Sequence, residues 1–306
     1  MRRLLILFTF LFSHISVPAV QAQADDSGPL PAQRFVSQPD TDHFGADLQA
    51  LFDTSLKSCQ RACATQSACV GFVYNLKSDA CFPKSALRDP SSFVGALTVR
   101  KLSVDEGLAA RAAERASRLS LPGGVDVASA RDLAVEIGTR YQLSGRDLDT
   151  LVEGAQQFFV GNNAEMAVRW MGEAVALSDA ADLWVEYARY MRAMPTDGGS
   201  ETRRNHAEAV AAALNGYLRA DSLPMQATAL TEAALALEKL GRGRDMISVL
   251  RLAETIEPRK QIADILSRAV AKYGFRVSDT RVEADSADPR MCVVFSEELV
   301  KTGVTY

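Results

Sequence analysis

The strongest constraint on how this chain can fold is a group of four cysteines between Cys59 and Cys81. Three, five and eleven residues separate them in turn. This spacing lacks the two closely spaced cysteine pairs that are typical of a zinc site. We therefore expect two disulfides, which persist in exported proteins and are rare in the cytosol. The fifth cysteine, Cys292, has no obvious partner within the sequence.

The amino terminus has the pattern of a secretory signal peptide over residues 1–24. Arg2 and Arg3 precede the apolar run from Leu4 to Phe12, and small residues follow at Ala22 and Ala24. The apolar run is too short for a membrane span, which needs about 20 largely apolar residues. Cleavage after Ala24 would therefore leave a chain without a transmembrane segment. We expect export to the periplasm or cell envelope, or full secretion.

The expected mature chain has about 280 residues, which is enough for two domains. Loss of the two arginines near the amino terminus would change the formal net charge from −4 to −6. Acidic and basic residues are well mixed along the chain. We therefore expect no nucleic-acid partner, because such proteins carry a basic patch or stripe.

The spacing of the first two cysteines limits how the four can pair. Cys59 and Cys63 lie four residues apart in the predicted helix TSLKSCQRACATQ, so both point to one face. Their Cβ atoms would be about 5 to 6 Å apart, whereas a disulfide needs about 3.8 Å. Each must then pair with Cys69 or Cys81. The bridges are either nested, with Cys59 bonded to Cys81, or crossed, with Cys59 bonded to Cys69, and spacing does not decide between them.

Short apolar runs separated by turn residues surround this helix from 34 to 102, after a polar linker at 25–33. They predict a small α+β module whose thin core needs covalent support. The cysteine spacing, the run Gly71-Phe72-Val73-Tyr74-Asn75 and the strand Cys81-Phe82-Pro83-Lys84 resemble a PAN/apple module.

The resemblance implies a recognition module without catalytic groups, because PAN/apple modules bind proteins or carbohydrates. Closing the longer disulfide loop would contribute about 3 kcal/mol on the chain-entropy model. In that family the helix is held to the sheet by nested bridges, which implies Cys59 with Cys81 and Cys63 with Cys69.

Ligand contacts are expected in the loops of the module, since loops carry most recognition. The stretches Asp40 to Asp47 and Lys77 to Asp79 are the candidates. Phe72, Tyr74 and Phe82 alternate along predicted strands, which indicates core packing instead. The candidate ligand-contact residues are Asp42, His43, Lys77 and Asp79.

From 103 to 275 the chain is rich in alanine, leucine, arginine and glutamate, with apolar residues three and four apart. This pattern predicts helices. A period near 34 residues, clearest over 227–260, is typical of tetratricopeptide repeats. We therefore predict an all-α, TPR-like helical-repeat region. The spacing of its large aromatic residues indicates packing rather than a binding stripe. They are Trp170, Trp184, Tyr187 and Tyr190.

Residues 276–306 contain two alternating, valine-rich strands, VSDTRVEAD and PRMCVVFSEELV. This segment resembles the opening of the first macroglobulin domain in bacterial alpha-2-macroglobulins, some of which also carry a PAN/apple module and helices. The resemblance implies the first strands of a truncated macroglobulin-type β-sandwich, with a partner for Cys292 beyond Tyr306.

Two functions follow from these resemblances. The first is the amino-terminal recognition and scaffold region of an endopeptidase inhibitor, a protease trap whose contacts with proteases lie in a missing downstream part. The alternative is a free-standing exported PAN/TPR adhesin or adaptor protein without inhibitor activity. If the first function holds, this multidomain chain is the amino-terminal part of the inhibitor and positions the trap.

No catalytic or cofactor motif stands out in the sequence. The mature chain has two histidines, His43 and His206, and neither lies in a nucleophile pattern. His206, in the charged run ETRRNHAEAV, is expected to be solvated on the surface. Phosphate loops, HExxH pairs and calcium loops are not found. We therefore expect no enzyme activity, no cofactor and no metal site.

Overall fold

The computed structural model describes residues 28–121, 127–195, 198–283 and 290–296. The predicted signal peptide, the first three residues of the predicted linker and residues 297–306 lie outside this part of the chain. The three regions below follow one another along the described residues.

A four-stranded antiparallel sheet and one helix form the first region. The strand order is β1-β4-β2-β3, so the long first and last strands pair with each other. Ser55 caps the helix, since its side chain accepts a hydrogen bond from Ser58 N. The elements are β1 (Gln33–His43), α1 (Leu56–Thr65), β2 (Gly71–Asn75), β3 (Ala80–Lys84) and β4 (Pro90–Ser103).

The core of this region lies between α1 and one face of the sheet. Phe72 and Tyr74 of β2 are buried there, whereas Phe82 of β3 is half-buried. The ring of Phe35 meets that of Phe72 at 6.2 Å between centroids. The strand alternation thus places Phe72 and Tyr74 in the core, as the sequence predicts.

The second region contains only helices among its described residues. Several begin with a side-chain cap, such as Asp105, Asp147, Asn163 and Ser222. The helices are α2 (Glu106–Ser117), α3 (Val127–Arg140), α4 (Leu148–Val160), α5 (Ala164–Leu177), α6 (Ala181–Arg192), α7 (Ser200–Arg219), α8 (Leu223–Lys239), α9 (Gly243–Ile256) and α10 (Lys260–Tyr273).

Helix α7 is the centre of this helical region. It packs against its sequence neighbours α6 and α8, and also against the distant helices α2 and α3. In a regular solenoid each repeat contacts only its neighbours. The observed packing differs from that pattern at its amino-terminal end, so the TPR-like assignment stays a prediction. None of the described helices is both long and apolar enough to cross a bilayer.

The helices pack directly on the sheet through α3 and β1. Ser37 Oγ donates a hydrogen bond to Gly138 O at 3.3 Å, and Leu143 N donates to Ser37 O at 2.8 Å. Leu30, within the predicted linker, is buried among the core residues of the helical region. The first two regions therefore share a packed junction.

The third region is an antiparallel hairpin of β5 (Val277–Glu283) and β6 (Arg290–Phe295). Its apolar side chains are largely open to solvent, with Val282 67% and Met291 73% exposed. Cys292 lies on β6 as an exposed free thiol. No further described strand pairs with this hairpin, so the macroglobulin-type β-sandwich stays a prediction.

Candidate functional site

Two disulfides fix the helix of the small module to its sheet. Cys59 bonds to Cys81 and Cys63 bonds to Cys69, with Cα atoms 5.7 and 5.3 Å apart. All four side chains are buried in the module core. This is the nested arrangement that the resemblance implies. It pins α1 to β3 and to the loop before β2, so the sheet edge formed by β3 has a rigid support.

A segment without regular secondary structure, residues 44–54, extends the sheet beyond β3. We call it the edge segment. Leu48 N donates to Pro83 O at 2.8 Å, and Leu51 and Cys81 exchange backbone hydrogen bonds of 2.9 and 2.8 Å. The edge segment is therefore held like a further strand, although its hydrogen bonds are interrupted.

An ion pair anchors the start of the edge segment. The ammonium of Lys84 lies 2.5 Å from a carboxylate oxygen of Asp47 and donates to Gly45 O at 3.2 Å. Lys84 is buried, whereas Asp47 is exposed. Gly45 and Ala46 adopt positive φ angles of 77° and 56°, so the chain turns sharply here. The ion pair holds this turn against β3.

Large apolar side chains of the edge segment point to solvent. Phe44 is 70% exposed and Phe52 is 67% exposed, and Leu48 between them is 39% exposed. The ring of Phe52 packs edge-to-face on the half-buried ring of Phe82, with centroids 6.2 Å apart. We call these four residues the aromatic edge. Exposed aromatic anchors on a rigid support are typical of protein-binding surfaces.

His43 was expected in an exposed loop, and this expectation is wrong. The strand β1 continues to His43, which pairs with Pro90 and is only 6% exposed. Its Nδ1 atom lies 2.8 Å from Arg88 O. The imidazole is therefore a structural group. The neighbouring candidate Asp42 is half-buried in the same strand.

Lys77 and Asp79 lie in the exposed turn between β2 and β3. The hydroxyl of Tyr74 lies 2.8 Å from Asp79 Oδ1. Burial and then this hydrogen bond raise the pKa of Tyr74 to about 12. Asp79 therefore orients a core tyrosine. A Cβ at Gly95 would approach within 3.0 Å of the Lys77 side chain, so that side chain lies along β4.

Sequence reasoning missed the aromatic edge. It treated the polar turn residues around 40–47 as a recognition loop, gave Phe44, Leu48 and Phe52 no role, and assigned Phe82 to the core. The signal was an apolar residue at every fourth position, Phe44, Leu48 and Phe52, in a stretch that also contains Gly45, Asp47 and Asp53. The predicted contacts and the aromatic edge come from adjoining parts of the chain, but only the latter offers large exposed apolar surface.

Two comparisons with known proteins found a match to part of the chain. A Zea mays protein described as a candidate receptor protein kinase, ZmPK1, is 39% identical over 56 residues, which are 18% of this chain and 7% of that protein. The chain thus matches a small part of that relative's length. No solved structure matches the chain. The family model of the PAN domain matches residues 34–100. Residues 34–100 therefore form a PAN domain, a type of module that binds proteins or carbohydrates.

Proposed function

We propose that this chain is an exported recognition protein that acts by binding, with a protein ligand held at the aromatic edge of its PAN domain. The observation that carries the proposal is the exposure of Phe44 and Phe52 on an edge braced by two disulfides. Such an edge offers apolar anchors that lose little conformational freedom on binding. The disulfides fit an exported protein.

Helices α2 to α10 serve as the scaffold that fixes the orientation of the PAN domain. The support for this role is the packed junction, where Arg34 of β1 is 2% exposed and donates to Val175 O of α5 at 3.0 Å. A buried interdomain hydrogen bond of this kind opposes free rotation of the domain. The ligand would therefore be presented in one direction relative to the helices.

We extend the proposal to the whole protein. It would be a periplasmic or envelope protease trap of the alpha-2-macroglobulin kind, and this chain would be its recognition region. The hairpin β5–β6 supports this reading, because Val282 and Met291 are exposed and a two-stranded hairpin is only marginally stable by itself. Further strands of a β-sandwich would cover those side chains. In that setting Cys292 would find a disulfide partner in the same sandwich.

Reading the coding sequence beyond codon 306 tests the extension. Macroglobulin repeats there would support the protease trap. A stop codon at that point would instead support the alternative, a free-standing exported adhesin or adaptor. Neither outcome alters the proposal for the aromatic edge, which depends only on residues of the PAN domain.

The aromatic edge is tested by site-specific photo-crosslinking in the intact, exported chain. A photoreactive residue at Leu48 should capture one envelope protein, identified by mass spectrometry and then purified. Phe52→Ser should weaken binding of that protein at least tenfold, since buried aromatic anchors contribute about 2 kcal/mol or more. The control is Val160→Ser, which removes an apolar side chain that is 87% exposed at the end of α4.

Two results would count against the aromatic edge. One is a captured protein whose affinity is unchanged by Phe52→Ser and by Phe44→Ser. The other is specific binding to a neutral oligosaccharide that competes with the captured protein and survives both substitutions.

A further inference from the structure

A groove of about 450 Å³ lies where the PAN domain meets the helices. The PAN domain contributes Pro39, and the turn after α3 contributes Tyr141 and Arg146. Helix α5 contributes Met166, Arg169 and Trp170. Clefts between domains are common ligand sites because groups from both domains converge there. This groove is separate from the aromatic edge.

One face of α5 forms a wall of the groove. Met166, Arg169, Trp170 and Glu173 are spaced by three and four residues, so their side chains share that face. Glu173 is buried at the bottom, where its Oε1 accepts hydrogen bonds of 2.5 Å from both N and Oγ of Ser144. Its carboxylate is therefore already engaged by the protein.

The indole of Trp170 is not open for stacking against a sugar. A Cβ at Gly154 would lie 2.3 Å from Trp170 Cε3, so the backbone of α4 is in contact with the ring. The guanidinium of Arg146 covers the ring at 4.5 Å from its centroid, and Phe158 meets its edge at 5.3 Å. Trp170 therefore acts as a platform for Arg146.

Stacking leaves the hydrogen-bonding edge of a guanidinium available to a carboxylate. Arg146 uses Nη1 for Ser144 Oγ at 2.8 Å and lies 3.8 Å from Glu173, which is a weak ion pair. Arg169 is exposed, and its side chain has no hydrogen bond or ion pair to any residue that the structure describes. Arg140, at the rim, is paired with Glu208 and Glu136. The groove thus holds positive charge that Glu173 does not fully neutralise.

We propose that this groove binds an acidic peptide segment of a protein partner. Carboxylates of the segment pair with Arg146 and Arg169, and an apolar side chain packs on Pro39 and Met166. Charge complementarity and the covered indole favour an acidic peptide over a saccharide, because saccharide sites rely on open aromatic faces. This site would be a second contact with a partner, independent of the aromatic edge.

Fluorescence anisotropy with the intact, oxidised chain tests the proposal. The probe is a fluorescein-labelled peptide with four glutamates separated by leucines, and its counterpart has glutamine in place of each glutamate. The glutamate peptide should bind, and it should bind less tightly as salt is raised. Arg169→Gln should weaken binding about tenfold, the effect of one charge-assisted hydrogen bond. The matched control Arg268→Gln removes an exposed arginine of α10 and should change nothing.

Three results would overturn the proposal. The first is equal binding of the glutamine peptide, and the second is equal binding by wild type and Arg169→Gln. The third is binding of an oligogalacturonate of equal charge at tenfold higher affinity, which would make the site a saccharide site. Phe52→Ser serves as a cross-check. It should leave binding of the glutamate peptide unchanged while it weakens binding of the protein captured at the aromatic edge.

Discussion

The guanidinium of Arg34, in the first strand of the PAN domain, lies 3.8 Å from the carboxylate of Asp179, between α5 and α6. The same carboxylate lies 2.8 Å from Arg219 Nε and accepts a hydrogen bond of 2.9 Å from Trp184 Nε1. Burial lowers the pKa of Arg34, and Asp179 opposes that shift. One carboxylate thus compensates two buried guanidinium groups at the junction.

Asp179→Asn should therefore destabilise the junction strongly. It would leave Arg34 and Arg219 buried without their counter-charge, which costs about 3 kcal/mol or more in buried pairs. Urea unfolding followed by far-UV circular dichroism measures the loss. The matched control is Asp264→Asn, which breaks the exposed pair with Lys260 and should cost less than about 1 kcal/mol. Equal losses in the two variants would show that the junction pair is not a stabilising contact.

The two disulfides should differ in their contribution to stability. They join residues 22 and 6 positions apart. On the chain-entropy model the longer loop contributes about 3 kcal/mol and the shorter one about 2 kcal/mol. Replacing Cys59 and Cys81 by alanine should therefore lower the free energy of unfolding more than replacing Cys63 and Cys69. Urea midpoints under non-reducing conditions measure this order.

Non-reducing peptide mapping supplies the control for the disulfide series. It should find the two nested bridges, and Cys292→Ser should leave the urea midpoint unchanged, because that thiol is free and exposed. A crossed pair of bridges in the folded, exported chain would contradict the structure.

The PAN domain could be predicted from the sequence because the residues that identify it lie close together in the chain. The spacing of four cysteines and the alternation around Phe72 lie within one short stretch. The buried positions of His43 and His206 were not readable, because each depends on an element distant in sequence. His206 begins the buried face of α7, the helix on which four others pack. Its expected surface position is wrong, since it is 5% exposed.

In the candidate site, too, local features could be predicted from the sequence and features that depend on distant contacts could not. Alternation identified the core aromatic residues of β2, but the edge segment is positioned by hydrogen bonds to β3 that no local pattern encodes. The groove at the junction could not be predicted from the sequence either. Pro39 and Arg169 come from different regions of the chain and line one groove because β1 packs against α3 and contacts α5.

Gly138→Ala should destabilise the chain even though alanine is the better helix former. A Cβ at Gly138 would lie 2.3 Å from Phe35 O and 3.0 Å from Val36 Cγ2, so α3 would have to move off β1. Overpacking of this kind costs about 1 to 3 kcal/mol. Thermal unfolding measures the cost. Gly107→Ala is the control, since a Cβ there meets only the side chains of Asp105 and Arg111 and should change stability by less than about 1 kcal/mol.

Stability should fall in mildly acidic buffer because of His206. Burial, and then the charges of Lys239 and Arg192, lower the pKa of His206 in the folded chain. In the unfolded chain its pKa returns to about 6.5. Above that value the imidazole is neutral in both states and contributes no pH dependence. As the pH falls below 6.5, only the unfolded state takes up the proton, so the free energy of unfolding decreases until the lowered pKa is reached.

The decrease from one such group cannot exceed about 1.4 kcal/mol per pH unit. Urea unfolding at closely spaced pH values from about 7.5 to about 5, a range that brackets the reference pKa of histidine, measures the slope in wild type and in His206→Gln. Glutamine keeps a polar group at the buried position but does not titrate, so the variant should show a shallower slope below pH 6.5. Parallel slopes in the two proteins would mean that other groups set the pH dependence. A steeper slope in the variant would mean that His206 gains, rather than loses, affinity for its proton on folding.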